Sequence, residues 1–211
     1  MAPGVILGPD GVRRCPWQAN DPLYRHYHDG EWGFPVRDDR RLFEKICLEG
    51  FQSGLAWITI LRKRENFRAA FRNFEIDAVA RMNQRSVERL LGDAGIVRHR
   101  GKIESTLNNA RRAREIIREY GSLAAFVWQY EPAPESRPRR ITPRTLAPLT
   151  QTQESEALSK ALRSRGFTFV GPTTSYAFMQ AMGMVDDHLE DCETRARVEA
   201  ARARFRRPRI A

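Results

Sequence analysis

The 211-residue chain is predicted to be an all-α protein. Three observations point there. Apolar residues recur at intervals of three and four along most of its length, which is the period of one helix face. Those stretches open on capping residues and close on glycines. No run alternates apolar and polar residues for long enough to make a convincing strand. A chain of this size can bury one core, or two helical lobes that share a cleft.

Taken in order, residues 1–13 are expected to be a flexible arm. "DPLYRHYHDGEWG" reads as a short aromatic helix, with Asp21 as N-cap and Pro22 at the first helical position. From Asp39 a strong helix begins, with Leu42, Phe43, Ile46 and Cys47 in one apolar phase. Cys47 therefore reads as core. "GLAWITILRKRENFRAAFRNF" gives a further amphipathic helix, Asp77 a cap for "AVARM", and Ser86 a cap for "VERLL". "GKIESTLNNARRAREIIREYG" is a long helix with Ile103, Leu107, Ala110 and Ile117 roughly in phase and a glycine stop. "SLAAFVWQY" is a short apolar helix. Residues 131–150 are proline-rich and expected to be an extended loop. A Thr150/Gln153 capping-box pattern opens the next helix, which closes on Gly166, and "TTSYAFMQAMG" forms a last apolar helix. The tail, residues 193–211, carries seven Arg against two Glu and is expected to be flexible or weakly helical.

The net charge of +10 favours a polyanionic partner, because Lys and Arg contacts release counterions from phosphates. Arg outnumbers Lys 32 to 4, so base-composition bias contributes to that charge. No run of about 18 apolar residues suggests a membrane span. The N-terminus is too short and too broken by Gly and Pro for a signal peptide, so a cytoplasmic, nucleoid-associated location is expected. An odd count of three cysteines argues against a disulfide framework and excludes a four-cysteine iron–sulfur cluster held by one chain.

His188 and Cys192 lie four apart in "HLEDC", which on a helix would place both on one face. A tetrahedral zinc needs two more ligands, and Cys15 with His26 or His28 supplies the only sensible second pair. On a helix those two histidines point roughly 200° apart, so only one can face a metal. Four protein ligands make a closed, structural site with no position for a catalytic water.

"CPWQANDPLYRHYHDGEWG", "LFEKICLEGFQSGLAWITILRKRENFRAAF", "DAGIVRHRGKI" and "ALRSRGFTFVGPTTSYAFMQAMGMVDDH" together resemble the 3-methyladenine DNA glycosylase I family over residues 14–192. The resemblance implies an all-α, helix–hairpin–helix DNA glycosylase fold with one structural Zn2+ joining the N- and C-terminal segments. It assigns the ligands to Cys15, His28, His188 and Cys192. It implies a monomer that flips N3-methyladenine out of alkylated double-stranded DNA and hydrolyses its N-glycosidic bond, leaving an abasic site. The hairpin falls near residues 92–103, where Gly95 and Gly101 bracket a tight connection. By resemblance Gly95, Arg98, Arg100, Gly101 and Lys102 contact DNA, although an ordinary turn with solvated basic residues has the same composition.

The lesion is a cationic base and already a good leaving group, so the enzyme must flip it, hold it and stabilise an oxocarbenium-like sugar. Aromatic faces and a carboxylate suit such a base. By resemblance Glu49 is the catalytic residue that hydrogen-bonds it, Tyr27 and Trp57 line its pocket, and Trp17 and Tyr24 form a more distant wall. Trp32 reads as core. Gln52, Gly54 and Leu55 are expected to flank the space the flipped base vacates. Many helix–hairpin–helix glycosylases carry an Asp beyond the hairpin, and "GFTFVGPTTSYAFMQAMGM" holds no carboxylate. Lys102 reads as a phosphate contact rather than a Schiff-base nucleophile, so a monofunctional enzyme using water is expected. The alternative is a non-catalytic zinc-containing DNA-binding protein on the same fold. Such a protein has no use for a carboxylate between Tyr27 and Trp57.

Overall fold

The computed structural model describes residues 4–18 and 21–210. Twelve α-helices account for most of them: α1 Pro22–Gly30, α2 Asp39–Gln52, α3 Trp57–Arg62, α4 Arg64–Ala70, α5 Ile76–Ala80, α6 Gln84–Leu91, α7 Arg100–Tyr120, α8 Leu123–Val127, α9 Pro143–Leu146, α10 Gln153–Ser164, α11 Pro172–Ala181 and α12 Glu193–Arg204. The all-α expectation holds for the body of the molecule. One two-stranded antiparallel ribbon, β1 Ile6–Leu7 with β2 Arg13–Arg14, precedes the helices.

Helix α2 runs through the centre. Asp38 caps it by accepting from the Arg41 N–H at 2.8 Å, and every residue from Leu42 to Phe51 is buried. It packs against α7, α8 and α11, and its Phe43 and Phe51 join Phe67, Phe71 and Phe74 in a fully buried aromatic cluster. A helix buried on all sides must satisfy its polar residues internally. Glu44 is held by Arg68 at 2.8 Å and Lys45 by Glu49 at 2.7 Å. Cys47 lies in this core as expected, and burial pushes its thiol pKa up.

Several boundaries differ from the sequence-based expectation for local reasons. The predicted helix over "WITILRKRENFRAAF" breaks at Lys63 (φ −98°, ψ 0°) into α3 and α4. Glu75, not Asp77, precedes α5. Asn83 caps α6, with Ser86 returning the second bond of the capping box. Thr152 rather than Thr150 caps α10, paired with Ser155. The proline-rich stretch contains the single-turn α9, started by Thr142 and Pro143.

Both chain ends pack on the body where they are described, residues 1–3 and 211 lying outside the described residues, and the tail is helical over Glu193–Arg204. In the ribbon, Arg14 is buried and bridges Asp10 and Asp29 at 2.7 and 2.8 Å. In the tail, α12 buries Thr194 and Val198, and Phe205 packs on Trp128 at 4.5 Å between centroids. Arg202 and Arg207 both clasp Glu131, at 2.9 and 2.8 Å. The tail arginines thus serve intramolecular pairs that a charge count cannot reveal.

Candidate active site and metal centre

A cavity of about 470 Å³ opens between α1, the C-terminus of α2, α3, α9 and the α11–α12 connection. Trp17, Tyr24, Tyr27, Trp32 and Trp57 form its aromatic side, and Glu49 and Gln52 stand at its base. Pro143, Leu146 and Ala147 face them from the proline-rich segment. Trp17 meets Tyr24 and Trp32 edge-to-face at 4.9 and 5.0 Å, and Tyr27 is tilted on Trp57 at 5.5 Å. The four aromatic residues expected at a pocket therefore converge. Trp32, expected in the core, is half-buried and belongs to this wall, its ring 4.6 Å from His188.

Glu49 is only 4% exposed. Its Oε1 accepts from the Lys45 ammonium at 2.7 Å, while its Oε2 is buried with no protein partner. Leaving a carboxylate oxygen dry and unpaired is costly, and such an orphan suits a ligand that can donate to it. The Trp57 indole N–H is likewise buried without a partner. Lys45 also donates to the Tyr27 hydroxyl at 2.9 Å and lies 3.2 Å from the Trp57 ring centroid. Burial pulls its pKa down while the Glu49 charge pushes it back up. The Tyr27 hydroxyl is held well above its ordinary range by burial and by the Glu49 charge. The sequence reading missed Lys45. The signal was the i,i+4 pair in "KICLE", a Lys and a Glu flanking three apolar residues.

Asp187 is a second carboxylate on this cavity that the sequence reading missed, three residues past the stretch searched. It is buried, accepts from the Tyr176 hydroxyl at 2.6 Å and the Gln180 amide at 2.8 Å, and pairs with Arg137. Both of its oxygens are engaged, whereas Glu49 keeps Oε2 without a partner.

On the far side of Trp17 the two chain ends meet. The Cys15 and Cys192 sulfurs and a His28 ring nitrogen all lie within 4.8 Å of one another, and the Cys192 sulfur is 3.6 Å from His28 Nε2. His28 is buried and His26 exposed, so helix α1 selects His28. His188 is also fully buried, its ring 4.8 Å from that of His28 and its Nε2 3.5 Å from the His28 carbonyl oxygen. Three of the four expected ligands thus form the tight group, with His188 beside it. The residues fit a zinc ion. Each histidine gives Nδ1 to a carboxylate, His28 to Asp29 at 2.7 Å and His188 to Asp186 at 2.9 Å, which leaves Nε2 for a metal. The Cys192 thiol is pulled strongly down by the hydrogen bond from Cys15 and by the histidines, so one thiolate is favoured before any metal arrives. His188 and Cys192 do not share a helix as their spacing suggested. Cys192 caps α12 and is tied to Leu189 by a 2.9 Å backbone turn.

The residues expected at DNA divide into two groups. Gln52 ends α2 and lines the cavity, and Gly54 and Leu55 follow it in the α2–α3 connection. Gly54 adopts φ +83°, the Gln52 amide holds the Leu55 carbonyl at 3.1 Å, and Leu55 is 40% exposed. Arg100 and Gly101 open α7, and Gly95 and Arg98 lie on the α6–α7 connection. Its backbone is closed by Asp93 accepting from Gly95 N–H at 2.8 Å and by Lys63 donating to the Ala94 carbonyl at 2.9 Å. A Cβ at Gly95 would meet Asp93 Oδ1 at 2.9 Å and the Asn66 Cβ at 3.2 Å, so the connection packs closely on its neighbours there. Arg98 is exposed, but Arg100 is clasped by Glu88 at 2.8 and 2.9 Å. Lys102 departs most from expectation. It is 8% exposed, and its ammonium caps α2 by donating to the carbonyls of Phe51 and Ser53 at 2.8 and 2.6 Å.

Residues 17–196 match the family model described as methyladenine glycosylase. The chain is 50% identical over 182 residues to the DNA-3-methyladenine glycosylase 1 of Escherichia coli K12, covering 86% of this chain and 96% of that one. A crystal structure of 3-methyladenine DNA glycosylase I aligns with TM-score 0.78 at 49% identity, over 85% of this chain and 98% of that chain. A variant of 3-methyladenine DNA glycosylase I in complex with 3-methyladenine aligns with TM-score 0.79 at 36% identity, over 86% and 97%. The chain belongs to the methyladenine glycosylase family.

Proposed function

We propose that this protein is a DNA-3-methyladenine glycosylase that extrudes N3-methyladenine from alkylated duplex DNA and hydrolyses its N-glycosidic bond. The observation that carries the reading is the buried, unpartnered Oε2 of Glu49 at the base of an aromatic cavity. A flipped 3-methyladenine offers that oxygen a donor and offers Trp57 and Tyr27 a cationic ring to face. The cationic base leaves without strong protonation. The work of the site is to extrude it, exclude water from it and hold it through bond breaking, with water as the nucleophile and an abasic site as product. No carboxylate other than Glu49 lines the cavity with a free oxygen among the described residues.

Gln52, Gly54 and Leu55 would enter the gap left by the flipped base, Leu55 being the exposed apolar tip. The α6–loop–α7 unit serves as the helix–hairpin–helix element, with Gly95, Gly101 and Arg98 at the backbone of double-stranded DNA. Cys15, His28, His188 and Cys192 would hold one Zn2+, which supplies a structural cross-link between the chain ends. That link fixes Tyr27, next in sequence to His28, against the cavity. The protein would act as a monomer at the nucleoid in the cytoplasm.

Incubating methylated duplex DNA with the protein and measuring released bases tests the reading. Free 3-methyladenine is expected, with release abolished by Glu49→Gln. A protein that bound the DNA but released no base would be the zinc-containing DNA-binding protein instead.

A further inference from the structure

We infer that Lys45 is a positioning residue for the reaction: its ammonium is the counter-ion of Glu49 and, by holding Oε1, fixes which carboxylate oxygen meets the base. This inference rests on the glycosylase reading above and assigns a role within that same site.

Lys45 is 5% exposed and sits one helical turn before Glu49 on α2. It does not line the large cavity. It lines a smaller one behind it, shared with Tyr27, Trp57, Glu31, Glu44, Arg41, Arg64 and Arg68. Its ammonium thus reaches Glu49 Oε1, the Tyr27 hydroxyl and the back of Trp57 from the side away from a bound base. One cation touches all three groups proposed to hold that base.

The surrounding charges commit Lys45 to Glu49. Glu31, just past α1, is taken by Arg64 with bonds of 2.6 and 2.9 Å. Glu44, on α2 itself, is taken by Arg68 at 2.8 Å, which also holds Glu65 at 2.7 Å. From α1, Tyr24 and Tyr27 face Glu49 as neutral phenols, both held protonated by burial and by its charge. Across the cavity Asp187 is already neutralised by Arg137. Among the described residues, Lys45 is therefore the cation paired with Glu49. With Oε1 tied back, Oε2 is the oxygen left without a partner on a residue that lines the cavity.

Without the ammonium, burial would favour the protonated carboxyl. A neutral Glu49 attracts a cationic base far less and has a hydroxyl free to rotate. Lys45→Met removes the charge at similar volume. Lys45→Gln keeps a donor but removes the charge, and Lys45→Arg keeps both. The measurement is kcat/KM for 3-methyladenine release from methylated DNA across the acid limb of the pH profile. Thermal unfolding and the infrared carboxyl band of Glu49 are recorded on the same proteins.

The midpoint of the acid limb is expected to move up by about one to three pH units in Lys45→Met and Lys45→Gln. A protonated carboxyl band should appear at neutral pH in both, and Lys45→Arg should restore the wild-type limb. Should Lys45→Met fail to fold, Lys45→Gln carries the same comparison. A folded, charge-free variant with an unmoved limb and an ionised Glu49 overturns the inference. A wild-type protein that releases no base overturns the glycosylase reading instead, while the infrared band still decides whether Lys45 governs the charge of Glu49.

Discussion

Gly33 presses its backbone on the imidazole of His188. A Cβ at position 33 would stand 2.9 Å from His188 Cε1 and 3.1 Å from Nδ1, the nitrogen that Asp186 holds. The glycine also adopts φ +85°, a left-handed conformation that costs a side-chain-bearing residue about 1–2 kcal/mol. Gly33→Ala is therefore expected to lower unfolding free energy by at least that much. It should also lower metal content, because the ring cannot keep its bond to Asp186 and its position beside His28 together. Denaturant unfolding and metal analysis check both effects, and an unchanged variant on either count would remove His188 from the ligand set.

The same centre predicts a separation of stability from chemistry. Purified protein should contain about one zinc per chain, the stoichiometry of a closed four-ligand site. Cys192→Ser or a strong chelator should lower the unfolding midpoint, since a bound ion would join Cys15 to Cys192, over 170 residues apart in the chain, where the Leu189 N–H already meets the Cys15 sulfur at 3.4 Å. Base release per folded molecule at low temperature should persist. Loss of release with no loss of stability would instead give the metal a chemical role.

The helices were legible because their apolar residues are periodic, and Cys47 followed from that periodicity, whereas His28 and the aromatic wall were legible only through the family resemblance. The details that failed depend on tertiary partners. The arginines of α12 read as a free basic tail because nothing in sequence announces that Glu131 lies beneath Arg202 and Arg207. Lys102 read as a phosphate contact because a lysine after a glycine in a basic turn resembles one. Its true partners, the carbonyls of Phe51 and Ser53, belong to a helix about 50 residues away in sequence. Asp187 escaped notice because its role is set by Arg137 from the proline-rich segment. Long-range pairing leaves no local pattern.

Arg137 gives that segment a testable purpose. It pairs with Asp187 and donates to the Tyr176 hydroxyl at 3.1 Å, holding the chain that carries Pro143, Leu146 and Ala147 to the cavity. Removing the cation leaves a carboxylate of 1% side-chain exposure with only neutral donors. Arg137→Ala is expected to cost on the order of 3 kcal/mol of stability. It should also raise KM several-fold with a smaller change in kcat, as the loosened wall admits water. Arg137→Ala combined with Asp187→Asn should recover part of the stability, a coupling that a double-mutant cycle measures. Purely additive effects would show that the pair does not act as a unit.

Lys102 decides whether the protein also cuts the strand. Burial pulls its pKa down, the direction a nucleophilic lysine needs, so its charge state alone does not exclude Schiff-base chemistry. Its position does. The ammonium is bound at 2.8 and 2.6 Å by two carbonyls at the end of α2, and leaving them would strand both. Borohydride treatment of the protein with methylated DNA is therefore expected to trap no covalent adduct, and the abasic product should remain unnicked. Lys102→Ala should lower stability by about 1–3 kcal/mol, the cost of leaving the buried Phe51 carbonyl unpaired, and loosen the α2–α3 connection that carries Gly54 and Leu55. Base release per folded molecule should fall with the loss of DNA affinity rather than vanish. An adduct trapped by the wild type and lost in Lys102→Ala would reverse this assignment and make the enzyme a lyase.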